Sequence, residues 1–179
     1  KILTIIIIFL STSVLSANER DAKLDKLFME LKNNITSSSP MIAQQIWSLW
    51  STHPTDEKLT SILDEGSRLV QDRQLARAIN VFTEVIKLDP TWAEAWNKRA
   101  TVFYMVGEFD KSQDDIDKVL ELEKRHFGAL AGQGMVNIQL KNYDKAKRSY
   151  QKVQEIYPAM KSPKVMIEQI EELIKRQSI

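Results

Sequence analysis

The segment Trp96–Ile116, with the sequence WNKRATVFYMVGEFDKSQDDI, decides the fold of this chain. Its tryptophan, arginine and paired aspartates are residue types that active sites also use. However, the chain can be aligned with itself at a constant offset, the one that separates Gly66 from Ala100 and Ala100 from Gly134. At this offset the segment aligns without gaps with the chain before and after it. The aligned columns are small (Gly66, Ala100, Gly134; Ala78, Ser112, Ala146) or large and apolar (Phe82, Ile116, Tyr150; Val85, Val119, Val153). A fixed period over three units is the signature of a repeat array, so most of this segment is architecture.

Each of the three units, residues 59–92, 93–126 and 127–160, has the pattern of two helices joined by a turn. In the first half of each unit, apolar and small side chains recur at helical spacing. The turn follows, and Gly107 or, one unit later, Asn142 suits the left-handed conformation that ends a helix. The small columns let the two helices of a unit approach closely, and the large columns fill the space beside that contact.

These columns resemble the tetratricopeptide repeat, whose pattern of Trp, Leu-Gly, Tyr, Ala, Phe and Pro recurs with the same period. The matching residues are Trp96, Ala100, Phe103, Ser112 and Ile116 in the middle unit, Gly66, Leu69, Ala78, Phe82 and Pro90 in the first, and Leu130, Gly134, Ala146, Tyr150 and Pro158 in the third. The resemblance implies an all-α fold, an α-solenoid whose helix-turn-helix units stack into a right-handed superhelix.

One column departs from the family pattern, because Glu65, Arg99 and Gln133 stand where the family usually has leucine. We therefore expect the helix pairs to pack differently there. A buried arginine must be paired, so Arg99 is predicted to form a structural ion pair with Asp115 or Asp117. Direct contact between Arg99 and a ligand is the alternative.

The chain on either side of the repeats is also predicted to be helical. Residues 18–56 indicate a degenerate helical pair, in which Asp21–His53 forms a fourth unit with Trp47 and Trp50 in its core. Residues 161–179 indicate a capping helix that would cover the apolar end of the stack. The apolar stripe of this capping helix is predicted to consist of Val165, Met166, Ile170, Leu173 and Ile174.

The first residues have the pattern of a secretory signal peptide, assigned to residues 1–17. Lys1 precedes a largely apolar run, small residues follow, and cleavage is expected after Ser16 or, as the close competitor, after Ala17. The run is shorter than the roughly 20 apolar residues of a membrane span, so an uncleaved anchor is the less favoured alternative. The chain begins with Lys1 and not with Met, which is the start expected of a fragment that lacks a few residues.

The segments AQQIWSLW, WNKRAT and RHFGALAGQG also resemble a group of exported tetratricopeptide-repeat proteins of alphaproteobacteria. This resemblance implies a periplasmic address and no established activity. After cleavage of the signal we expect no stable insertion into the membrane.

The composition excludes several classes of function. Lys and Arg total 25 against 24 acidic residues, so the chain has no charge excess with which to attract nucleic acid. The absence of cysteine removes disulfides, thiol nucleophiles and zinc-thiolate sites. No phosphate-binding loop or nucleophile motif is present. We therefore predict no enzyme, no catalytic residue, no cofactor and no metal.

The few residues with catalytic or ligating side chains have structural explanations. His53 and His126 lie at unit boundaries without metal ligands near them in sequence, so both are predicted to be surface or junction residues. Asp114, Asp115 and Asp117 fall on a predicted helix and not in a calcium-binding loop, which favours a solvated helix face.

Binding of a protein or peptide is the function that the pattern favours. In the resembling family, the first helix of each unit lines a concave groove. The groove residues predicted here are mildly apolar: Leu63, Ser67, Val70, Gln71, Glu94, Asn97, Lys98, Thr101, Tyr104, Met105, Ala131, Met135, Ile138 and Gln139. Such a surface suits an extended or helical peptide. We expect a scaffold or adaptor in envelope assembly or maintenance, with self-association of the chain as the alternative.

The family's carboxylate-binding mode is not expected here. Its chaperone-binding members hold a terminal carboxylate with basic and amide side chains of the groove. The matching positions in this chain are Leu63, Ser67, Lys98, Gly128 and Gly132, of which only Lys98 is basic.

Overall fold

The computed structural model describes residues 19–33 and 37–177, and the predicted signal peptide lies outside these residues. The described residues form nine α-helices and no strand, which confirms the all-α class. The helices are α1 (19–33), α2 (Ser39–Ser51), α3 (Glu57–Gln71), α4 (Leu75–Leu88), α5 (Ala93–Met105), α6 (Phe109–Leu122), α7 (Phe127–Gln139), α8 (Tyr143–Ile156) and α9 (Ser162–Gln177). The pairs α5–α6 and α7–α8 fall within the second and third units seen in the sequence, and the pair α3–α4 forms the first, with α3 beginning at Glu57, ahead of residue 59.

The turn inside each pair has the same geometry. Arg73, Gly107 and Lys141, which occupy the same position in successive units, have φ angles of 61°, 81° and 59°. The amide that follows each of them bonds back to a carbonyl near the end of the preceding helix, which closes the helix in a Schellman-type motif. The prediction for Asn142 was wrong, because Lys141 takes the left-handed conformation and Asn142, with φ −87°, does not.

The small columns are the points of closest approach between paired helices. A Cβ atom at Gly66 would overlap the Phe82 ring, and one at Gly134 would overlap the Tyr150 ring. In the middle unit, the buried Ser112 hydroxyl donates to the Ala100 carbonyl at 2.8 Å. The close packing of each helix pair therefore depends on a very small side chain on one helix facing a large one on the other, as the aligned columns of the sequence predicted.

At the column where the family usually has leucine, Arg99 and Gln133 join successive helices by side-chain hydrogen bonds. Arg99 donates from Nε and Nη2 to the Asp115 carboxylate, at 2.8 and 2.7 Å, and from Nη1 to Thr83 Oγ1 at 3.0 Å. This bidentate contact is the ion pair with Asp115 that the sequence predicted. The expectation of a solvated face was wrong for Asp115, which is 4% exposed because it turns inward to Arg99. Burial raises the pKa of Asp115, and the hydrogen bonds from Arg99 offset part of that rise.

Gln133 repeats this arrangement one unit later. Its amide donates to Asp117 at 3.2 Å and its carbonyl accepts from Ser149 at 2.8 Å. Since Asp117 and Ser149 lie one repeat after Thr83 and Asp115, both bridges occupy equivalent places in the array. Polar bridges thus replace the family's leucine contacts at Arg99 and Gln133, whereas Glu65 is exposed.

Helix α9 packs against α8 at the carboxyl end. Ile170 is fully buried and packs with Ala146 and Tyr150. Lys147 Nζ lies 2.6 Å from the Glu171 carboxylate and adds an ion pair between the two helices. The predicted stripe was wrong in one member, because Val165 is 50% exposed.

The helical hairpin α1–α2 packs differently from a fourth unit at the start of the stack. Its apolar side chains share one core with four buried residues of the third unit, Phe127, Leu130, Val153 and Tyr157. The hairpin therefore runs across the array instead of extending it. Two further contacts link it to the array: Arg125 Nη1 lies 2.6 Å from the Asp25 carboxylate, and the Trp92 indole N–H donates to the Trp50 carbonyl at 2.8 Å.

A candidate peptide-binding groove

The first helices of the three units, α3, α5 and α7, line a surface with two adjoining pockets, which we call the groove. The first pocket lies between α3 and α5 and has a volume of about 320 Å³. Ser67, Val70 and Gln71 of α3 face it from one side, and Lys98 from α5 faces it from the other. Trp47 of α2 also lines this pocket, so the hairpin forms part of the groove wall.

The second pocket lies between α5 and α7, is smaller, at about 80 Å³, and is mainly apolar. Gly128 and Gly132 line it from α7, and Gly132 leaves space there because it has no side chain. A Cβ atom at Gly132 would lie 3.5 Å from Ile116 Cδ1, which is an ordinary contact, so nothing already fills the space there. Asn97 and Thr101 line both pockets, which therefore adjoin each other.

A buried polar cluster lies beside the groove and is built around Glu94, which is 1% exposed. Its Oε2 accepts from Asn97 Nδ2 at 3.0 Å and lies 3.1 Å from His126 Nε2. Its Oε1 lies 3.4 Å from Lys98 Nζ. Because His126 Nδ1 accepts the Ala129 N–H at 3.1 Å, the neutral ring carries its proton on Nε2 and donates it to Glu94.

Aromatic rings of the hairpin cover this cluster. The Trp50 ring stacks on His126 with centroids 3.9 Å apart and an interplanar angle of 9°. Trp47 makes T-shaped contacts with His126 and Phe127, with ring centroids 5.3 and 5.5 Å apart. A Cβ atom at Gly128 would overlap the Trp47 ring, so the hairpin docks where α7 has no side chain. His126 is therefore a buried junction residue and not a surface one.

The structure brings together eight of the predicted groove residues. Those that line the pockets are Ser67, Val70, Gln71, Asn97, Lys98, Thr101, Tyr104 and Met135. Leu63 and Glu94 are buried below the surface, because their helix positions face the core and not the groove. The remaining four line neither pocket: Met105 is 40% exposed, Ala131 and Ile138 pack against core clusters, and Gln139 lies near the Tyr104 hydroxyl.

Sequence reasoning did not assign Trp47 to the groove, and it placed Gly128 and Gly132 there only as positions that lack the family's carboxylate-binding side chains. Gly128 and Gly132 lie four residues apart on one face of α7, a spacing that signals an open helix face. No comparable signal existed for Trp47, whose place depends on where the hairpin docks. Among the described residues, no group of three His, Cys, Asp or Glu side chains is placed to hold a metal ion.

A family model described as a tetratricopeptide repeat matches residues 128–160. A tetratricopeptide repeat-containing protein of Rhizobium etli is 28% identical over 151 residues, which cover 84% of this chain and 74% of that protein. The animal and plant relatives are longer proteins, and the match covers only 10 to 16% of their lengths.

Two solved structures with bound peptides have the same fold. The first repeat domain of Spaghetti (RPAP3) bound to the HSP90 peptide SRMEEVD has a TM-score of 0.65 and 18% identity, and covers 66% of this chain and 94% of that chain. The Yersinia enterocolitica type III secretion chaperone SycD, in complex with a peptide of the translocator YopD, has a TM-score of 0.61 and 13% identity, and covers 65% of this chain and 95% of that chain.

The period, the helix pairs and these similarities together define a helical repeat protein of the solenoid class. Its fold is that of the tetratricopeptide-repeat proteins, and residues 128–160 match the model of that family. Members of this class are typically non-enzymatic scaffolds that bind proteins or peptides. No helix in the described ranges is long and apolar enough to cross a membrane.

Proposed function

We propose that this protein is a peptide-binding adaptor of the bacterial periplasm, which holds a segment of a partner protein in the groove between α3, α5 and α7. The observation that carries the proposal is the pair of adjoining pockets joined by Asn97 and Thr101. A peptide that places one side chain in each pocket would gain both affinity and register.

The character of the lining supports a binding role. Met135 and Tyr104 supply adaptable and amphipathic contact surface, and Met135 is 41% exposed. Ser67, Gln71 and Asn97 add a few polar groups that could fix the orientation of a bound backbone. Both solved relatives with this fold hold peptides, which favours the same use here.

The periplasmic address rests on the sequence of residues 1–17, which has the pattern of a cleaved signal. A partner would then belong to the cell envelope, where an adaptor could serve assembly or maintenance. Fusing residues 1–17 to alkaline phosphatase, an enzyme active only after export, tests the address. Phosphatase activity with cleavage near Ser16 is the expected result, and an inactive fusion that stays in the cytoplasm would remove the periplasm from the proposal.

Filling the smaller pocket tests the groove itself. A peptide first selected from a phage-displayed library of random dodecapeptides is titrated against the wild-type protein and Gly132→Leu. The leucine side chain would occupy the pocket between α5 and α7, because its Cβ has only an ordinary contact with Ile116. We expect the affinity to fall by about tenfold or more, as when one well-packed side chain is excluded.

Gly132→Ala is the matched control, since it changes the same position and leaves most of the pocket open. We expect it to retain binding, and circular dichroism should show all three proteins folded. Equal affinity of the selected peptide for Gly132→Leu and the wild-type protein would show that the peptide binds elsewhere.

A further inference from the structure

The charge of the groove is set by an acid that lies beside the pockets and below their surface. Among the described residues that line the two pockets, Lys98 is the only charged one. Its Nζ lies 3.4 Å from Oε1 of the buried Glu94, and Lys98 itself remains one-third exposed. The cation that a partner would meet is therefore already paired inside the protein.

Besides this ion pair, two side chains at this place are engaged with the other oxygen of Glu94. Asn97 Nδ2 donates to its Oε2 at 3.0 Å, and His126 Nε2 lies 3.1 Å from the same oxygen. Lysine, amide and imidazole N–H groups are the donors with which proteins hold a carboxylate. In this chain all three surround a carboxylate of the chain itself.

We propose that Glu94 is a specificity-determining residue that acts as a built-in anion, so that the groove selects an uncharged apolar segment and rejects acidic tails. The inference rests on the proposed peptide-binding function and names the class of partner. Glu94 does this without touching the ligand, by neutralising Lys98 and by holding Asn97 away from any incoming carboxylate.

The rest of the surface fits an uncharged occupant. The pocket between α5 and α7 is lined by Ala100, Ile116 and Val136 and by the glycines of α7, and would take one aliphatic side chain. In the other pocket, Trp47 presents a ring against which an aromatic or aliphatic side chain can pack. Trp47 also belongs to the interface that the apolar face of α2 makes with α7. The surface that the partner meets in this pocket is therefore apolar, like that interface.

Selection from the random dodecapeptide library on three immobilised proteins tests the inference: the wild type, Glu94→Gln and Glu57→Gln. Glutamine keeps an oxygen that can accept from Asn97 and His126, but it releases Lys98. Glu57 is an exposed first-turn acid of α3, so Glu57→Gln is a matched control that removes the same charge away from the groove. Thermal melts establish that each variant is folded.

We expect the wild type and Glu57→Gln to enrich peptides that are apolar and poor in Asp and Glu. Glu94→Gln should enrich acidic peptides roughly fivefold relative to the wild type, as expected when one partly exposed cation becomes free to pair. The acidic peptide SRMEEVD, titrated in parallel, should bind Glu94→Gln more tightly than the wild type.

Enrichment of acidic peptides on the wild type, or an unchanged peptide charge on folded Glu94→Gln, would overturn the inference while leaving the groove as a peptide site. Failure of all three proteins to enrich any peptide would instead count against the proposed function itself. If Glu94→Gln does not fold, Thr101→Lys provides the second variant. It adds an exposed cation that Glu94 does not neutralise, should shift selection toward acidic peptides, and would contradict the inference if it did not.

Discussion

The helices that flank the repeats, α9 and the hairpin α1–α2, are both amphipathic but pack on the array in different ways. Helix α9 follows the direction of the stack and packs on its neighbour α8. The hairpin α1–α2 crosses the array and shares a core with Phe127 and Leu130 of α7 and with Val153 and Tyr157 of the third unit. It also reaches Trp92 at the junction of the first two units. The amphipathic pattern of a helix thus predicts that one of its faces will be buried, but it does not predict the surface against which that face packs.

This difference predicts how far a disturbance should spread. In a solenoid each unit contacts its neighbours, so damage at α9 should remain at the carboxyl end. Damage at the hairpin should destabilise the second and third units together, because the hairpin contacts both and forms one wall of the groove through Trp47.

Trp50→Ala should have the largest effect. Trp50 is 5% exposed, stacks on His126 and contacts Phe28 and Phe127, so its loss leaves a large cavity. We expect a loss of about 4 kcal/mol in the free energy of unfolding. Hydrogen exchange should show α1, α2 and the first turn of α7 losing protection together.

Trp96→Ala is the matched control for Trp50→Ala. Trp96 is half-buried, donates to the Pro90 carbonyl at 3.0 Å and belongs to the repeats instead of the hairpin. It should leave the protection of α1 and α2 unchanged. If Trp50→Ala left the hairpin amides as protected as in the wild type, the hairpin would not be held by its aromatic contacts.

Ile170→Ala should have a somewhat smaller and more local effect. Ile170 is fully buried between α9 and α8, so we expect a loss of about 3 kcal/mol. The loss of hydrogen-exchange protection should be confined to α9 and α8. Equal deprotection of α1 and α2 would mean that α9 and the hairpin are coupled through α8 and that the contrast between them is wrong.

Much of the fold could be predicted from residues that repeat. The small columns required two helices in close contact, and Arg99 required an acid, which the structure supplies as Asp115. The groove was predictable only in part, because the repeat register gives the position of a side chain on its helix and not its depth. Glu94 therefore looked like a groove residue, although it is buried and its carboxylate is held by His126.

Gly128→Ala and Gly132→Ala form a matched pair on one face of α7 that sharpens the contrast further. At Gly128 the added methyl overlaps the Trp47 ring, so we expect a net loss of about 1 to 2 kcal/mol as the hairpin shifts. At Gly132 the methyl meets only an ordinary contact, and alanine should stabilise the helix by up to about 1 kcal/mol. Urea unfolding measures both, and a stabilised Gly128→Ala protein would mean that Trp47 yields at little cost.

The smallest predicted effect concerns the carboxyl end at alkaline pH. Burial raises the pKa of Tyr150 to about 12, so the folded state favours the neutral phenol. This contribution is fully present below the unfolded pKa of about 10 and is lost as the pH rises toward 12. At pH 11 the wild type should therefore have lost about 1 kcal/mol more stability, relative to pH 8, than Tyr150→Phe. Since Tyr150 packs with Ile170 of α9, the loss should appear in α8 and α9 before α1 and α2. Identical pH profiles for the two proteins would show that Tyr150 ionises as freely in the folded chain as in the unfolded one.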